Sequence, residues 1–207
     1  PPPPDTTVAA LICVFVFWVL PYVLLSLKAR KTVVAVCRLE PGSRSRSSTG
    51  LGSPVRRPAV TGEVRLVQVE GDMTVVTFQI KGLTPGPHGF HINEKADFSN
   101  GCDSAGPIYN PHSKKHGGPA DAERQIGDLG NVVADENGVA TGELKDALVM
   151  LSGAYSVIGR SIMLHAAADD LGKGDNSQPG PPPVNGKCSR VTGNAGARVA
   201  CGAIVQV

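Results

Sequence analysis

The 207-residue chain has little charge imbalance, few aromatic residues and, after residue 31, no sustained helical pattern. Its 20 lysine and arginine residues against 18 aspartate and glutamate residues give a net charge of +2. That balance argues against a nucleic-acid partner, because a nucleic-acid-binding protein normally carries a basic stripe or cluster. The missing apolar period of 3.6 residues argues against a helical globular fold. Glycine (25) and proline (17) are frequent instead, and they indicate many turns.

Short β-type runs separated by turn signals extend from Thr32 to the last residue. The turn Asn137-Gly138 is a typical hairpin signal. The pattern predicts an all-β sandwich or barrel of about eight strands over residues 32–207. The predicted strands are Val33–Leu39, Glu63–Val69, Met73–Ile80, Val132–Ala134, Val139–Leu144, Leu148–Leu151, Ser161–Leu164 and Ala203–Val207.

One long apolar run precedes this domain. Val8–Leu27 contains 20 residues without a charge, which would span about 30 Å as a helix. Its N-terminal flank has no lysine or arginine and no small-residue cleavage site follows it, which argues against a signal peptide. We therefore predict a tail at residues 1–7, a single transmembrane helix at 8–27 and a basic flank at 28–31. The predicted location is an organelle membrane, either the mitochondrial inner membrane or the thylakoid.

Two segments of the predicted domain have the composition of insertions. Residues 42–58 are rich in serine, arginine, glycine and proline, and residues 177–190 contain three consecutive prolines. The first is expected to be a surface loop, and the second to be locally extended. Both a docking role and a tolerated insertion remain open for the second.

Several long motifs follow one another along the chain: His88-Gly89-Phe90-His91, Gly101-Cys102, Ser104-Ala105-Gly106-Pro107, His116-Gly117-Gly118-Pro119, Gly127-Asp128-Leu129-Gly130-Asn131, Asp169-Asp170-Leu171-Gly172-Lys173-Gly174 and Thr192-Gly193-Asn194-Ala195-Gly196-Ala197-Arg198. Their content and order resemble the copper/zinc superoxide dismutases. The resemblance covers roughly Thr32 to Val207. It implies an eight-stranded Greek-key β-sandwich, or barrel, which agrees with the strand pattern.

The family's copper ligands are four histidines, and this chain matches only two of them. His91 and His165 stand at copper positions, whereas Asn93 stands at a third and Ile108 at the fourth. The fourth histidine of the family also bridges to zinc, and an isoleucine cannot ligate any metal. An amide is a poor replacement for imidazole with Cu(I). We therefore expect copper not to be bound.

The zinc positions are half retained as well. His116 and Asp128 match two zinc ligands, and Gln125 replaces a third. The incomplete sets of ligands favour a protein without a bound cofactor, and one alternative remains open. In that alternative His112 turns inward and holds zinc together with His116 and Asp128.

The resemblance also assigns roles to residues that bind no metal. Asp169 matches an aspartate that links a copper histidine to a zinc histidine, and Arg198 matches the arginine that guides superoxide. Cys102 and Cys201 match the family's intrasubunit disulfide. Of the other cysteines, Cys37 matches a buried strand residue, Cys13 lies in the apolar run, and the state of Cys188 remains open.

Two charged residues bear on self-association. The family forms homodimers through an apolar patch, and Arg38 and Lys95 occupy two positions of that patch. Unpaired charges inside a small apolar interface are costly. The usual homodimer is therefore not expected.

These features together favour a non-catalytic protein. The leading interpretation is a dismutase-like accessory or structural subunit, anchored in a membrane complex such as an organelle electron-transport complex. Its partners would be the membrane and the other subunits of that complex. The alternative is a membrane-anchored superoxide dismutase with an atypical copper site, built on His91, His165 and a further donor, with Arg198 as its only candidate catalytic residue.

Overall fold

The computed structural model describes residues 29–42, 58–174 and 189–207. The predicted transmembrane helix at Val8–Leu27 and most of the two predicted insertions lie outside these residues. Among the residues that are described, no helix is long and apolar enough to cross a bilayer.

The described domain is built from strands, with one short α-helix and one 3-10 turn at Asp103–Ala105. The strands are β1 (Thr32–Pro41), β2 (Thr61–Val69), β3 (Thr74–Lys81), β4 (Gly86–Asn93), β5 (Ser99–Cys102), β6 (Asp128–Ala134), β7 (Val139–Asp146), β8 (Ser161–His165) and β9 (Arg198–Gln206). The helix α1 (Ser189–Thr192) is a single turn that precedes β9.

Eight of these strands form one sheet in the order β6-β4-β8-β9-β1-β2-β3-β7, and β5 lies outside it. Strands β6 and β7 stand at opposite ends of this order, yet residues 135–138 alone connect them. A flat sheet could not satisfy so short a connection, so the sheet must curl until its two edges approach each other. The prediction of an all-β, eight-stranded barrel-like fold is confirmed.

Alternation along the strands explains which face of the sheet is buried. In β1 the side chains of Val33, Ala35, Cys37 and Leu39 are buried, and the residues between them are half-buried or exposed. A period of two is what a strand with one face on a core requires. Burial raises the pKa of the Cys37 thiol to about 12, so it packs as a neutral apolar group.

Three strand predictions differ from the structure, because β4 and β5 were not predicted and Leu148–Leu151 is not a strand. β4 was not predicted, because Gly86, Pro87 and His88 do not resemble a strand, and residues 88–93 are all buried without alternation. Leu148–Leu151 was predicted as a strand but contains only an isolated bridge at Met150. The Asp146 carboxylate accepts hydrogen bonds from the backbone N–H of Leu148 at 2.8 Å and of Val149 at 3.0 Å, and this bends the chain.

The disulfide that the resemblance implied is present. Cys102, at the end of β5, is bonded to Cys201 in β9, with a sequence separation of 99 residues. Cys201 pairs with Met163 in β8, so the bond ties the loop around β5 to the centre of the sheet.

We expect reduction of this disulfide to lower the free energy of unfolding by about 4–5 kcal/mol. The loss follows from the loop-closure entropy that a cross-link of this length removes from the unfolded chain. Urea unfolding with and without reductant measures it. In the double variant Cys102→Ser/Cys201→Ser the reductant should have no effect, and an equal response there would contradict the assignment.

Candidate metal centre

Six polar side chains converge where β4 and β8 meet the loops at one end of the barrel. His91 and Asn93 belong to β4, and His165 ends β8. The loop between β5 and β6 supplies His116, β6 begins with Asp128, and the loop after β8 carries Asp169. All six residues are buried.

Asp169 holds two histidines at once. One carboxylate oxygen accepts from His91 Nε2 at 2.8 Å, and the other accepts from His116 Nε2 at 2.8 Å. Burial alone would raise the pKa of this carboxyl, but the hydrogen bonds from His116 and His91 lower it well below its usual range. Asp169 is therefore a buried anion that fixes the orientation of both rings. The link expected from the resemblance is present.

His116 is hydrogen-bonded at both ring nitrogens. Its Nδ1 lies 2.7 Å from Asp128 Oδ1, and its Nε2 is the atom bonded to Asp169. Burial alone would lower the pKa of His116, but the bonds to the two carboxylates outweigh it and raise the pKa to about 9. At neutral pH, without metal, this ring is an imidazolium that donates to both carboxylates.

His91 and His165 form the second feature of the site. Their ring centroids are 4.9 Å apart. His165 Nδ1 donates to the carbonyl of Gly196 at 2.9 Å, and burial lowers the pKa of His165 to about 3. This neutral ring therefore keeps its lone pair on Nε2. Because His91 Nε2 faces Asp169, the free nitrogen of His91 is Nδ1, which is buried and has no hydrogen-bond partner among the described residues.

The three departures from the family's ligand set lie beside these groups. Asn93 and Ile108 form an isolated bridge between β4 and the following loop, and both side chains are buried. The Asn93 amide donates to the carbonyl of Gly106 at 2.8 Å. Gln125 is buried, and its backbone N–H donates to Asp128 at 2.8 Å.

The donors suit one metal position better than the other. At the copper-type position, the unpartnered Nδ1 of His91 and the Nε2 of His165 are imidazole lone pairs of the kind that copper prefers, and they fit the ion. At the zinc-type position, both nitrogens of His116 are already hydrogen-bonded and Ile108 offers no donor, so the residues do not complete a site. His91, His116 and Asp169 also present ligand atoms within 4.8 Å of one another, and this buried group could hold an ion if its hydrogen bonds were exchanged for metal bonds.

An open cavity adjoins the site. Its volume is about 600 Å³, and its walls include Ile108, Gln125, Thr192 and Arg198. The guanidinium of Arg198 donates to the carbonyl of Cys102 at 2.9 Å and to that of Gly106 at 2.7 Å. The disulfide-bonded loop thus fixes a positive charge in the cavity wall.

The structure does not bring His112 into the site. That side chain is exposed, and its ring packs edge-on against Tyr155 with centroids 4.5 Å apart. The sequence assigned no role to Asn131, whose side chain makes two hydrogen bonds to the backbone of Asp169. It donates to the Asp169 carbonyl at 2.8 Å and accepts from the Asp169 N–H at 2.7 Å. The signal was its place as the last residue of the motif Gly127-Asp128-Leu129-Gly130-Asn131.

Comparison with known proteins identifies the relatives of this chain. The family model for copper/zinc superoxide dismutase (SODC) matches residues 60–204. A protein of Saccharomyces cerevisiae named Cu-Zn superoxide dismutase is 50% identical over 147 residues, which cover 70% of this chain and 89% of the yeast protein. A protein of the same name from Onchocerca volvulus is 48% identical over 158 residues, covering 76% of this chain and 96% of that protein.

These relatives correct three expectations. A non-catalytic accessory subunit is contradicted, because relatives at about 50% identity carry the name of an enzyme. The expectation of no cofactor, with copper unlikely, is contradicted by the metals in those names and by the metal-capable group of His91, His116 and Asp169. The expectation about copper was wrong because it considered how many histidines match the family, and not which of their nitrogens remain available.

The expected organelle-membrane location is contradicted too. Relatives at about 50% identity bear the plain name of the enzyme, with no membrane or organelle in it.

Gly193 provides a test of the two hydrogen bonds that Asp169 accepts from His91 and His116. It has a φ of +63°, and a Cβ there would overlap the Asp169 carboxylate and lie 2.6 Å from His116 Nε2. A Gly193→Ala variant should lose about 3 kcal/mol of unfolding free energy, from positive φ and a broken buried hydrogen bond together. Urea unfolding of metal-free protein measures the loss, and proton NMR follows the imidazole N–H signals.

Gly153→Ala is the matched control. Gly153 has a φ of +82° with nothing within 4 Å of a Cβ, so it isolates the backbone cost of about 1–2 kcal/mol. Equal losses in the two variants, with the imidazole signals unchanged, would show that a side chain at position 193 leaves the hydrogen bonds of Asp169 intact, and would contradict the expected overlap.

Proposed function

Because the chain belongs to the copper/zinc superoxide dismutase family, we propose that it is a superoxide dismutase with a copper site that has fewer histidines than the family pattern. The relatives named superoxide dismutase support the reaction. The observation that carries the proposal is the pair His91 and His165, packed ring against ring with an unpartnered nitrogen on His91. A buried nitrogen without a partner costs about 1–3 kcal/mol, which a bound metal would recover.

His91 and His165 would hold the ion. Bound copper supplies a centre that accepts and returns one electron, which is the chemistry that the dismutation of superoxide requires. Asp169 fixes the His91 ring through Nε2, and the carbonyl of Gly196 fixes the His165 ring through Nδ1. Both ligands are thus pre-oriented, with their lone-pair nitrogens free.

Arg198 would attract the substrate. Superoxide is a small anion, and a fixed positive charge in a cavity wall raises the local concentration of anions. Its three hydrogen bonds to the carbonyls of Cys102, Asp103 and Gly106 hold the guanidinium in place. The arginine therefore has a structural role and an electrostatic role at once.

Two further features support proposals about organisation. Residues 32–207 would be the catalytic domain, with residues 42–58 and 177–190 as its surface insertions. No nucleic-acid partner is proposed, since the net charge is only +2.

Arg38 and Lys95, the two charged residues at positions of the family's dimer patch, are both exposed. The guanidinium of Arg38 lies 3.9 Å from the carboxylate of Glu63.

We expect the copper-loaded protein to accelerate superoxide decay, and Arg198→Ala to lower the rate per bound copper by about tenfold. The reason is the loss of electrostatic attraction, which is worth a factor of about 10 to 1,000 in association rates. Arg198→Lys, which keeps the charge, should retain most of the rate at low salt. Superoxide decay after pulse radiolysis, normalised to copper content, measures the effect. A protein that holds one copper per chain without accelerating the decay would rule the function out.

We also expect the protein to sediment as a single chain at micromolar concentration. The charges at positions 38 and 95 would have to be buried in the family's dimer patch, and desolvation is costly even for Arg38, whose guanidinium lies 3.9 Å from Glu63. Analytical ultracentrifugation tests this, and the double variant Arg38→Val/Lys95→Phe should shift the population toward a dimer. A wild-type dimer that is cross-linked through the surface carrying Arg38 and Lys95 would contradict the expectation.

A further inference from the structure

We propose that Asn93 is a metal ligand, and that copper is bound by His91 Nδ1, His165 Nε2 and the amide oxygen of Asn93. The inference rests on the proposed function, because it takes copper as the ion. It replaces the interpretation of Asn93 as a lost ligand position. The resulting donor set contains two nitrogens and one oxygen, in place of an all-histidine set.

Two unpartnered buried atoms on one strand point to this site. Within the described part of the chain, neither His91 Nδ1 nor Asn93 Oδ1 has a hydrogen-bond partner, and both residues are 0% exposed. A buried acceptor that is left without a donor destabilises the folded protein. Two such acceptors on neighbouring side chains are explained together by a single cation between them.

The strand geometry places both acceptors on the same side. His91, Ile92 and Asn93 pair in unbroken antiparallel register with Met163, Ile162 and Ser161 of β8. In a regular strand, alternate residues project from the same face and their Cα atoms lie about 6.6 Å apart. Side chains of this length can both reach one ion, whose donors lie about 2 Å from it.

Each of the three side chains is fixed by its other polar atom. Asn93 Nδ2 donates to the carbonyl of Gly106 at 2.8 Å, which leaves Oδ1 as the free end of the amide. His91 Nε2 is committed to Asp169, and His165 Nδ1 to Gly196. One hydrogen bond orients each ligand, an arrangement typical of metal sites.

The donor set determines which oxidation state is favoured. Imidazole suits copper in either state, whereas an amide oxygen is a harder donor and suits Cu(II) better than Cu(I). The wild-type site should therefore bind Cu(II) tightly and lose affinity on reduction. Asn93→His should raise the affinity for Cu(I) more than the affinity for Cu(II).

Copper titration of the full chain tests the role of Asn93 independently of activity. Asn93→Leu has nearly the same volume without the oxygen, and should weaken Cu(II) binding by about 100-fold or more, since loss of an outer-shell partner alone costs 10–100-fold. Asn93→Asp keeps an oxygen and should bind at least as tightly as wild type. The control is Gln125→Leu, which removes another buried amide with an unpartnered oxygen and should leave Cu(II) affinity unchanged.

Pulsed EPR of the Cu(II) protein identifies the donors directly. With asparagine labelled at its side-chain carbonyl carbon, a hyperfine coupling is expected in wild type and should vanish in Asn93→Asp. Labelled histidine should report two coordinated imidazoles in wild type and three in Asn93→His. This readout stands even if Asn93→Leu folds poorly.

The outcomes separate the two proposals. Unchanged Cu(II) affinity in Asn93→Leu, or no asparagine coupling in wild type, overturns the ligand assignment whether or not the protein destroys superoxide. A coupled Asn93 in a protein that does not accelerate superoxide decay supports the ligand assignment and overturns the function. Failure of the wild-type chain to bind one copper overturns both.

Discussion

The carboxylate of Asp169 is the interaction on which the rest of the centre depends. It is a single buried anion that accepts one hydrogen bond from a strand histidine and another from a loop histidine. Three segments distant in sequence are thereby held in one arrangement: β4, the loop before β6 and the loop after β8. Asn131 in turn holds the Asp169 backbone from both sides. Without this anion, the rings of His91 and His116 would lose the hydrogen-bond partner that they share.

The same anion divides the centre into two halves of different character. On one side, His116 is an imidazolium that donates one hydrogen bond to each of two carboxylates, those of Asp128 and Asp169. On the other side, acceptors are in excess: a histidine nitrogen and an amide oxygen lie buried without donors in the described residues. Lone pairs without donors suit a metal ion in the second half, whereas both ring nitrogens of His116 are already hydrogen-bonded in the first.

Much of the architecture could be predicted from the sequence, because it depends on local alternation and on long motifs. The strands β1, β2 and β3 follow a period of two, and the partners Cys102 and Cys201 follow from the resemblance. β4 could not be found by alternation, since it is buried on both faces and begins with glycine and proline. Leu148–Leu151 does not form a strand because the Asp146 side chain accepts hydrogen bonds from its backbone, and a pattern of apolar residues does not reveal such a contact.

The candidate site was harder to predict than the fold. Residue types showed which histidines remained, but not which of their nitrogens were already occupied by protein. His116 matches a metal ligand by sequence, yet both of its nitrogens are hydrogen-bonded. Asn93 differs from the family pattern by sequence, yet it carries an unused acceptor. Ligand capacity is a property of atoms and their partners, and only three-dimensional contacts reveal it.

The position of β9 in the sheet has a consequence for biosynthesis. β9 is the last strand made, and it lies between β8 and β1, with Ile204 opposite Cys37 and Cys201 opposite Met163. Until residues 198–206 leave the ribosome, β8 and β1 each present an unpaired edge, and such edges are templates for association with other chains. Closure of the barrel thus waits for the last strand of the domain, and the nascent domain is most vulnerable to aggregation while nearly all of it has already been synthesised.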